Sequence, residues 1–313
     1  METLDESLSY YDIQLIEIKN GGTNMKFNEI FEKSSVILME GAIIERLKRE
    51  YNVVLDSDID LAGLIYDSNV VDAMTTIFNE YIFIAEKYKL PFIMTTPTRR
   101  ANIERISNSK YDSDVLKENV KFLKSIKVGR ESEIFIGGLM GCKGDAYKAT
   151  DVLSIEEAVD FHSWQANILC ESGVDFLFAG IMPALTEAIG MAKSMEMTKL
   201  PYIISFMIKE DGKLIDGATI HDAITKIDEQ TNRNPVCYMT NCVHPITLKK
   251  ALSHSYNDTE TVRHRFKGIQ ANASCLSPDE LDGSDLLKSS TPQSLASDMI
   301  KLYEKCLLIL MLG

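Results

Sequence analysis

The strongest constraint on the fold is an alternation. Short apolar runs rich in β-branched residues recur along the chain, separated by longer segments with helical periodicity. The runs Val36–Met39, Phe92–Thr95, Ile134–Gly138, Val174–Ala179, Tyr202–Phe206, Val236–Thr240, Gly268–Ala271 and Leu307–Leu312 are the expected strands. The segments Asp67–Tyr88, Ser113–Val128, Ser154–Ser172, Pro183–Met197, Thr219–Gln230, Pro245–His254 and Pro292–Lys305 are the expected helices. Ser154 with Glu157 three residues on has the form of a capping box, a helix-start signal. Strands that are apolar at nearly every position must be covered on both faces, as in a parallel sheet wrapped by helices. Eight such units predict an α/β chain folded as a (β/α)8 TIM barrel of eight parallel strands, since an open doubly wound sheet more often has about six. No Gly-x-Gly-x-x-Gly or Walker loop follows any strand. The barrel is expected over residues 25–313. Residues 1–24 precede it, end in Gly21-Gly22-Thr23-Asn24, and read as an N-terminal extension or leader dispensable for the barrel.

Composition narrows the partners. The 33 basic and 46 acidic side chains give a net charge of −13, a field that repels phosphate backbones and anionic lipid. Nucleic acid and membrane are therefore not expected partners. No apolar run reaches the ~18 residues of a membrane span, and the N-terminus lacks the basic and apolar regions of a signal peptide. The expected location is cytoplasmic, and an oligomer is left open. Six cysteines in 313 residues are too few for a disulfide scaffold, so each is a buried hydrophobe, a nucleophile or a metal ligand.

In a barrel of this kind the chemistry sits just past the strands, on the C-terminal face. Glu40-Gly41, Thr95 to Thr98, Gly138 to Lys143, Gly180 to Met182, Thr240-Asn241-Cys242 and Asn272 to Cys275 fall there. Cys242 and Cys275 are thus at neighbouring strand ends, and Asn241 and His244 flank the first. A thiolate so placed can bind zinc or attack a substrate, or it is a small buried residue without reactivity. Spacing does not supply further ligands, because there is no Cys-x-x-Cys pair. A cysteine nucleophile working with His244 would lack a third, orienting group. His162 and His221, at or near helix starts, read as packing or capping residues, and Trp164 as helix packing on the barrel. The Arg99-Arg100 pair meets either an anion or solvent. The Ser/Asp/Pro-rich stretch Ser277–Ser290 reads as a long loop on the same face.

These residues resemble the homocysteine S-methyltransferases, from about Val36 to the end. The opening ILMEGAIIERL resembles that family's Asp-Gly-Ala-x-Gly-Thr-x-Leu, and TTPTRRAN its Thr-x-Thr-Tyr-Gln-Ala-Ser. The stretches FHSWQANILCESGVDFLFAGIMPALTEAIGMAKSM and LPYIISFMIKEDGKLIDGATIHDAI are the most specific, and TNCVHP resembles Val-Asn-Cys-x-x-Pro. The resemblance implies a (β/α)8 barrel in which three thiolates hold zinc and the fourth position takes the homocysteine sulfur. Cys242 corresponds to the first thiolate. The other two belong to a Gly-Gly-Cys-Cys-Gly motif directly after the eighth strand. This sequence ends at Gly313, where the first or second glycine of that motif would stand. The expectation is that Cys242 is the catalytic and metal-binding residue, that the zinc site of these 313 residues is incomplete, and that zinc is held weakly or not at all. Cys275 and His244 are the candidate substitute ligands. Glu40, in place of the family's Asp, with Gly41, Thr96, Thr98 and Asn241, are the implied substrate-binding residues. Gly180 stands where the family has a second, amine-binding Glu, and GGLMGCKGDAY loosely follows its Gly-Ser-x-Gly-Pro-x-Gly. The implied activity is zinc-dependent methyl transfer to homocysteine or a related small thiol, forming methionine, with a small thiol and a methyl donor as partners. The rival expectation is a catalytically diverged barrel of the same descent that binds a small molecule or acts with partner subunits.

Overall fold

The computed structural model describes residues 27–276, 289–306 and 310–312. Its strands are β1 Val36–Met39, β2 Phe92–Thr95, β3 Ile134–Gly141, β4 Phe176–Met182, β5 Tyr202–Phe206, β6 Cys237–Val243, β7 Phe266–Ala271 and β8 Leu310–Leu312. They pair in chain order, all parallel. β8 returns to β1 with Val36 opposite Leu310, so the barrel is closed. Several helices start where a side chain can accept the free N–H groups of the first turn. Asp67 accepts from Asn69 and Val70 ahead of the helix Ser68–Tyr88. Ser154 and Glu157 form the expected capping box on the helix Ile155–Glu171.

Alternation along each strand divides the core in two. Ile37, Met39, Ile93, Phe135, Phe176, Phe178, Ile203, Cys237 and Met239 form one buried cluster inside the barrel. The intervening residues, among them Phe92, Met94, Ile134, Ile136, Leu177, Tyr202 and Ile204, pack against the helices. The helix Phe27–Lys33 plugs the N-terminal end of the barrel: the Phe27 ring stacks on Phe176 at 4.2 Å and meets Phe135 edge-on at 5.5 Å. Gly137 makes room for that filling, because a Cβ there would lie 2.6 Å from the Phe176 ring.

Three strand ends differ from expectation. β3, β4 and β6 continue to Gly141, Met182 and Val243. Glycine and polar residues interrupt the apolar pattern at these ends, yet in a barrel such residues go on pairing while they line the mouth. Asn241 and Cys242 therefore lie within β6 and not behind it. Short helices at Ile43–Glu50, Ile103–Ser107 and Glu260–Arg265, and a 3-10 turn at Leu61–Tyr66, interrupt segments expected to be loops. Of the expected eighth strand, residues 307–309 lie outside the described residues. So do residues 1–24 and most of the Ser277–Ser290 loop.

Candidate functional site

At the C-terminal mouth the inward-facing positions turn polar. Thr95, Ser205 and Asn241 follow Ile93, Ile203 and Met239 by two residues on the same faces, and Gln270 joins them from β7. Their side chains form a hydrogen-bonded belt. Ser205 Oγ donates to Asn241 Oδ1, and Asn241 Nδ2 donates to Gln270 Oε1. Gln270 Nε2 donates to the Glu40 carbonyl at 3.0 Å. The Thr95 N–H and hydroxyl both donate to Glu40 Oε1, the former at 3.0 Å.

Glu40 is 4% exposed, and its other oxygen, Oε2, is buried with no hydrogen-bond partner among the described residues. Burial pushes its carboxyl from 4.5 up to about 8, against the pull of the Thr95 donors. At neutral pH this carboxyl, with nothing but Thr95 on it, is therefore largely protonated. A cation delivered to Oε2 would restore the charge. Buried carboxylates without partners are costly and concentrate at binding sites.

Cys242 sits at a bulge. The β6–β7 register shifts between Asn241 and Val243, and Cys242 takes the left-handed conformation at φ 59. A non-glycine residue rarely adopts this conformation outside turns and functional positions. The bulge re-aims the side chain at the strand end. Burial pushes the half-buried thiol up, while the Tyr147 hydroxyl at 3.8 Å and the charge of Arg99 pull the other way.

The zinc donors foreseen around Cys242 do not assemble. His244 caps the helix Pro245–Ser253, its Nδ1 accepting from the Ile246 N–H at 3.2 Å. Its Nε2 is buried without a partner among the described residues, and burial lowers the imidazole pKa. Cys275 is exposed. Among the described residues no group of three or more His, Cys, Asp or Glu side chains could hold a metal ion. A lone thiolate does not make a zinc site, since three or four protein ligands are the rule. The described residues thus do not fit a bound zinc.

The remaining expected site residues separate by role. Thr96 and Thr98 are fully buried, and their hydroxyls lie 2.7 Å apart. Thr96 Oγ1 accepts from the Leu139 N–H, and Thr98 Oγ1 donates to the Leu139 carbonyl. Both hydroxyls are thus engaged in tying the β2 end to β3, and they shape the mouth from behind. The Gly41 carbonyl accepts from the Tyr81 hydroxyl beside Glu40. At Gly180, where the resemblance places a second glutamate, a Cβ would stand 2.8 Å from Leu139 Cδ1, so a side chain there would have to displace that leucine. Arg99 and Arg100 both face Asp60, at 3.9 and 3.5 Å.

One feature was not read from the sequence. His162, expected to pack, is buried in its helix with Nε2 3.1 Å from Glu187 Oε1, and both side chains are almost fully enclosed. The same oxygen accepts the Lys143 N–H at 2.7 Å, which ties the loop after β3 to the helix Leu185–Met197. The available signal was a lone Glu in the apolar run around Ala184 to Ala192.

The sequence profile described as Homocysteine S-methyltransferase matches residues 37–309, nearly the whole barrel. The chain belongs to that family. A curated homocysteine S-methyltransferase, YbgG of Bacillus subtilis (strain 168), is 30% identical over 87 residues, and the match spans 28% of this chain and 28% of YbgG. Two crystal structures of the homocysteine methyltransferase MmuM from Escherichia coli share the fold. The metallated form superposes with a TM-score of 0.68 at 14% identity, covering 91% of this chain and 93% of MmuM. The oxidized form gives 0.65 at 15% identity, covering 90% and 92%. At that identity the likeness carries the (β/α)8 architecture of the family and not its residue roles.

Proposed function

We propose that this chain is an S-methyltransferase that moves a methyl group onto homocysteine or a related small amino-acid thiol, giving methionine in the first case. The observation that carries the reading is Glu40: a buried carboxyl with one oxygen unpartnered, on the same polar belt as Asn241, next in sequence to Cys242. The substrate's ammonium group supplies the cation that Oε2 lacks, and the belt holds the carboxyl in place. Asn241, fixed between Ser205 and Gln270, sets the end of β6 and so the position of Cys242 relative to the bound thiol. Methyl transfer then needs the substrate sulfur as nucleophile and a donor that leaves neutral or reduced, with the substrate thiol's proton lost to solvent. No step is assigned to zinc, for which the described donors do not suffice.

That shortfall also favours a second reading, a barrel of the family that binds the thiol without methylating it. One experiment separates the two. Full-length protein is incubated with homocysteine and, in turn, S-methylmethionine, betaine or methylcobalamin, with and without added zinc, and methionine is followed by mass spectrometry. Methionine formation that disappears in Cys242→Ala supports the transferase. Homocysteine binding without methionine in any arm would establish the second reading.

A further inference from the structure

The loop between β3 and the helix Ile155–Glu171 is tied by hydrogen bonds at both feet, and between them Ala146 packs into the core beside Tyr147. Both feet attach to adjacent residues in the first turn of the helix Leu185–Met197. The Lys143 N–H donates to Glu187 Oε1 at 2.7 Å, and Thr186 Oγ1 donates to the Leu153 carbonyl at 2.9 Å. Glu187 is braced in turn by His162. Among the described residues, the hydrogen bonds of residues 144–152 run within the loop itself, such as Tyr147 N–H to Asp145 Oδ1 and Ala149 N–H to the Asp145 carbonyl. The exception is at the tip, where the Tyr147 hydroxyl donates to Cys242 Sγ at 3.8 Å.

We propose that Tyr147 is a cover for the Cys242 sulfur: it lies against that sulfur and must swing away before a substrate sulfur can approach it. The Glu187–His162 pair sets the loop from which it swings. The geometry suits the task. An S–H···O or O–H···S contact at this length is weak, so the cover opens at small cost, while the buried carboxylate at the foot keeps the loop over the same place when it closes. Tyr147 is itself over one-third exposed and so has solvent to move into. The arrangement holds whichever thiol uses the site, and it does not depend on methyl transfer.

Alkylation of the metal-free full-length protein by iodoacetamide, read cysteine by cysteine through peptide mass spectrometry, tests it directly. Exposed Cys275 gives the reference rate, and fully buried Cys237 reports whether the barrel stays intact. Tyr147→Phe and Tyr147→Ala both lack the hydroxyl, so the ratio between them isolates the covering ring. Cys242 should react roughly ten-fold faster in Tyr147→Ala than in Tyr147→Phe, as expected when a local cover is removed. Equal rates in the two would overturn the proposal. Glu187→Ala should also speed Cys242 with Cys237 still protected, and Glu187→Gln, which keeps an acceptor for the Lys143 N–H, should behave as the parent. A Glu187→Ala protein in which Cys237 reacts as well would show that Glu187 supports the core and would overturn its assignment as the loop anchor.

Discussion

On the proposed reading, a single carboxyl decides most of what the mouth can recognise. With Oε1 held by Thr95 and Oε2 unpartnered among the described residues, Glu40 costs stability as an anion, and in the proposed function that oxygen receives the ammonium group. The sign follows from its pKa of about 8, raised from 4.5. Between those values the native chain keeps a proton that the unfolded chain has released, so the Glu40 contribution to stability falls as pH rises through that window. Urea unfolding at pH 5 and pH 8 should therefore show Glu40→Gln gaining on the parent by on the order of 3–5 kcal/mol across the interval. A difference between the two proteins that does not change with pH would mean that Glu40 is not desolvated. The location of Glu40, Asn241 and Cys242 at the mouth was legible in the sequence because each follows the apolar part of a strand. Gln270, Ser205 and Tyr147 were not, since their roles arise only when strands far apart in sequence are brought edge to edge. Thr96 and Thr98 were legible by position but not by direction, because no periodicity reports that two hydroxyls turn to each other and to a neighbouring strand.

At the level of elements, helix starts were the most readable features. Ser154 with Glu157 and Asp67 cap the helices they were expected to open. The C-terminal ends of β3, β4 and β6 were the least readable. There the chain exchanges apolar residues for glycine and polar ones while the strand hydrogen bonds continue, so hydrophobic patterning stops before the strand does. That extension, with the bulge at Cys242, makes the candidate site part of the barrel wall. The helix Phe27–Lys33 was missed for a different reason: seven residues carry too little periodicity to stand out, and tertiary packing stabilises it. Its Phe27 ring is 3% exposed between Phe135 and Phe176. Phe27→Ala should cost about 3–5 kcal/mol in denaturant unfolding. A loss below about 1 kcal/mol would show that the plug is not part of the barrel core.

For the whole molecule, the closed barrel separates stability from chemistry along one axis. The N-terminal end is filled by aromatic rings, and the Arg265 guanidinium forks onto Asp228 with bonds of 2.8 and 2.9 Å. The C-terminal end carries the half-partnered carboxyl, the strained cysteine and the tethered loop. Eight alternating units in the sequence were enough to predict that closure, because a parallel sheet of this length with both faces apolar has few other ways to hide its edges. The −13 charge sets a different constraint: a small zwitterion meets this protein without the repulsion that a polyanion would feel.

The central claim is that the barrel mouth binds an amino-acid thiol through Glu40, and calorimetric titration of L-homocysteine into the full-length protein at pH 7 tests it most directly. The titration is repeated in two buffers of different ionisation enthalpy and with Glu40→Gln alongside. Because the Glu40 carboxyl is mostly protonated at that pH before binding and must ionise against the ammonium group, binding should release about one proton per chain. Removing the charge should weaken binding by roughly ten-fold or more. Homocysteine that binds equally well to both proteins, with no proton released, would contradict the account.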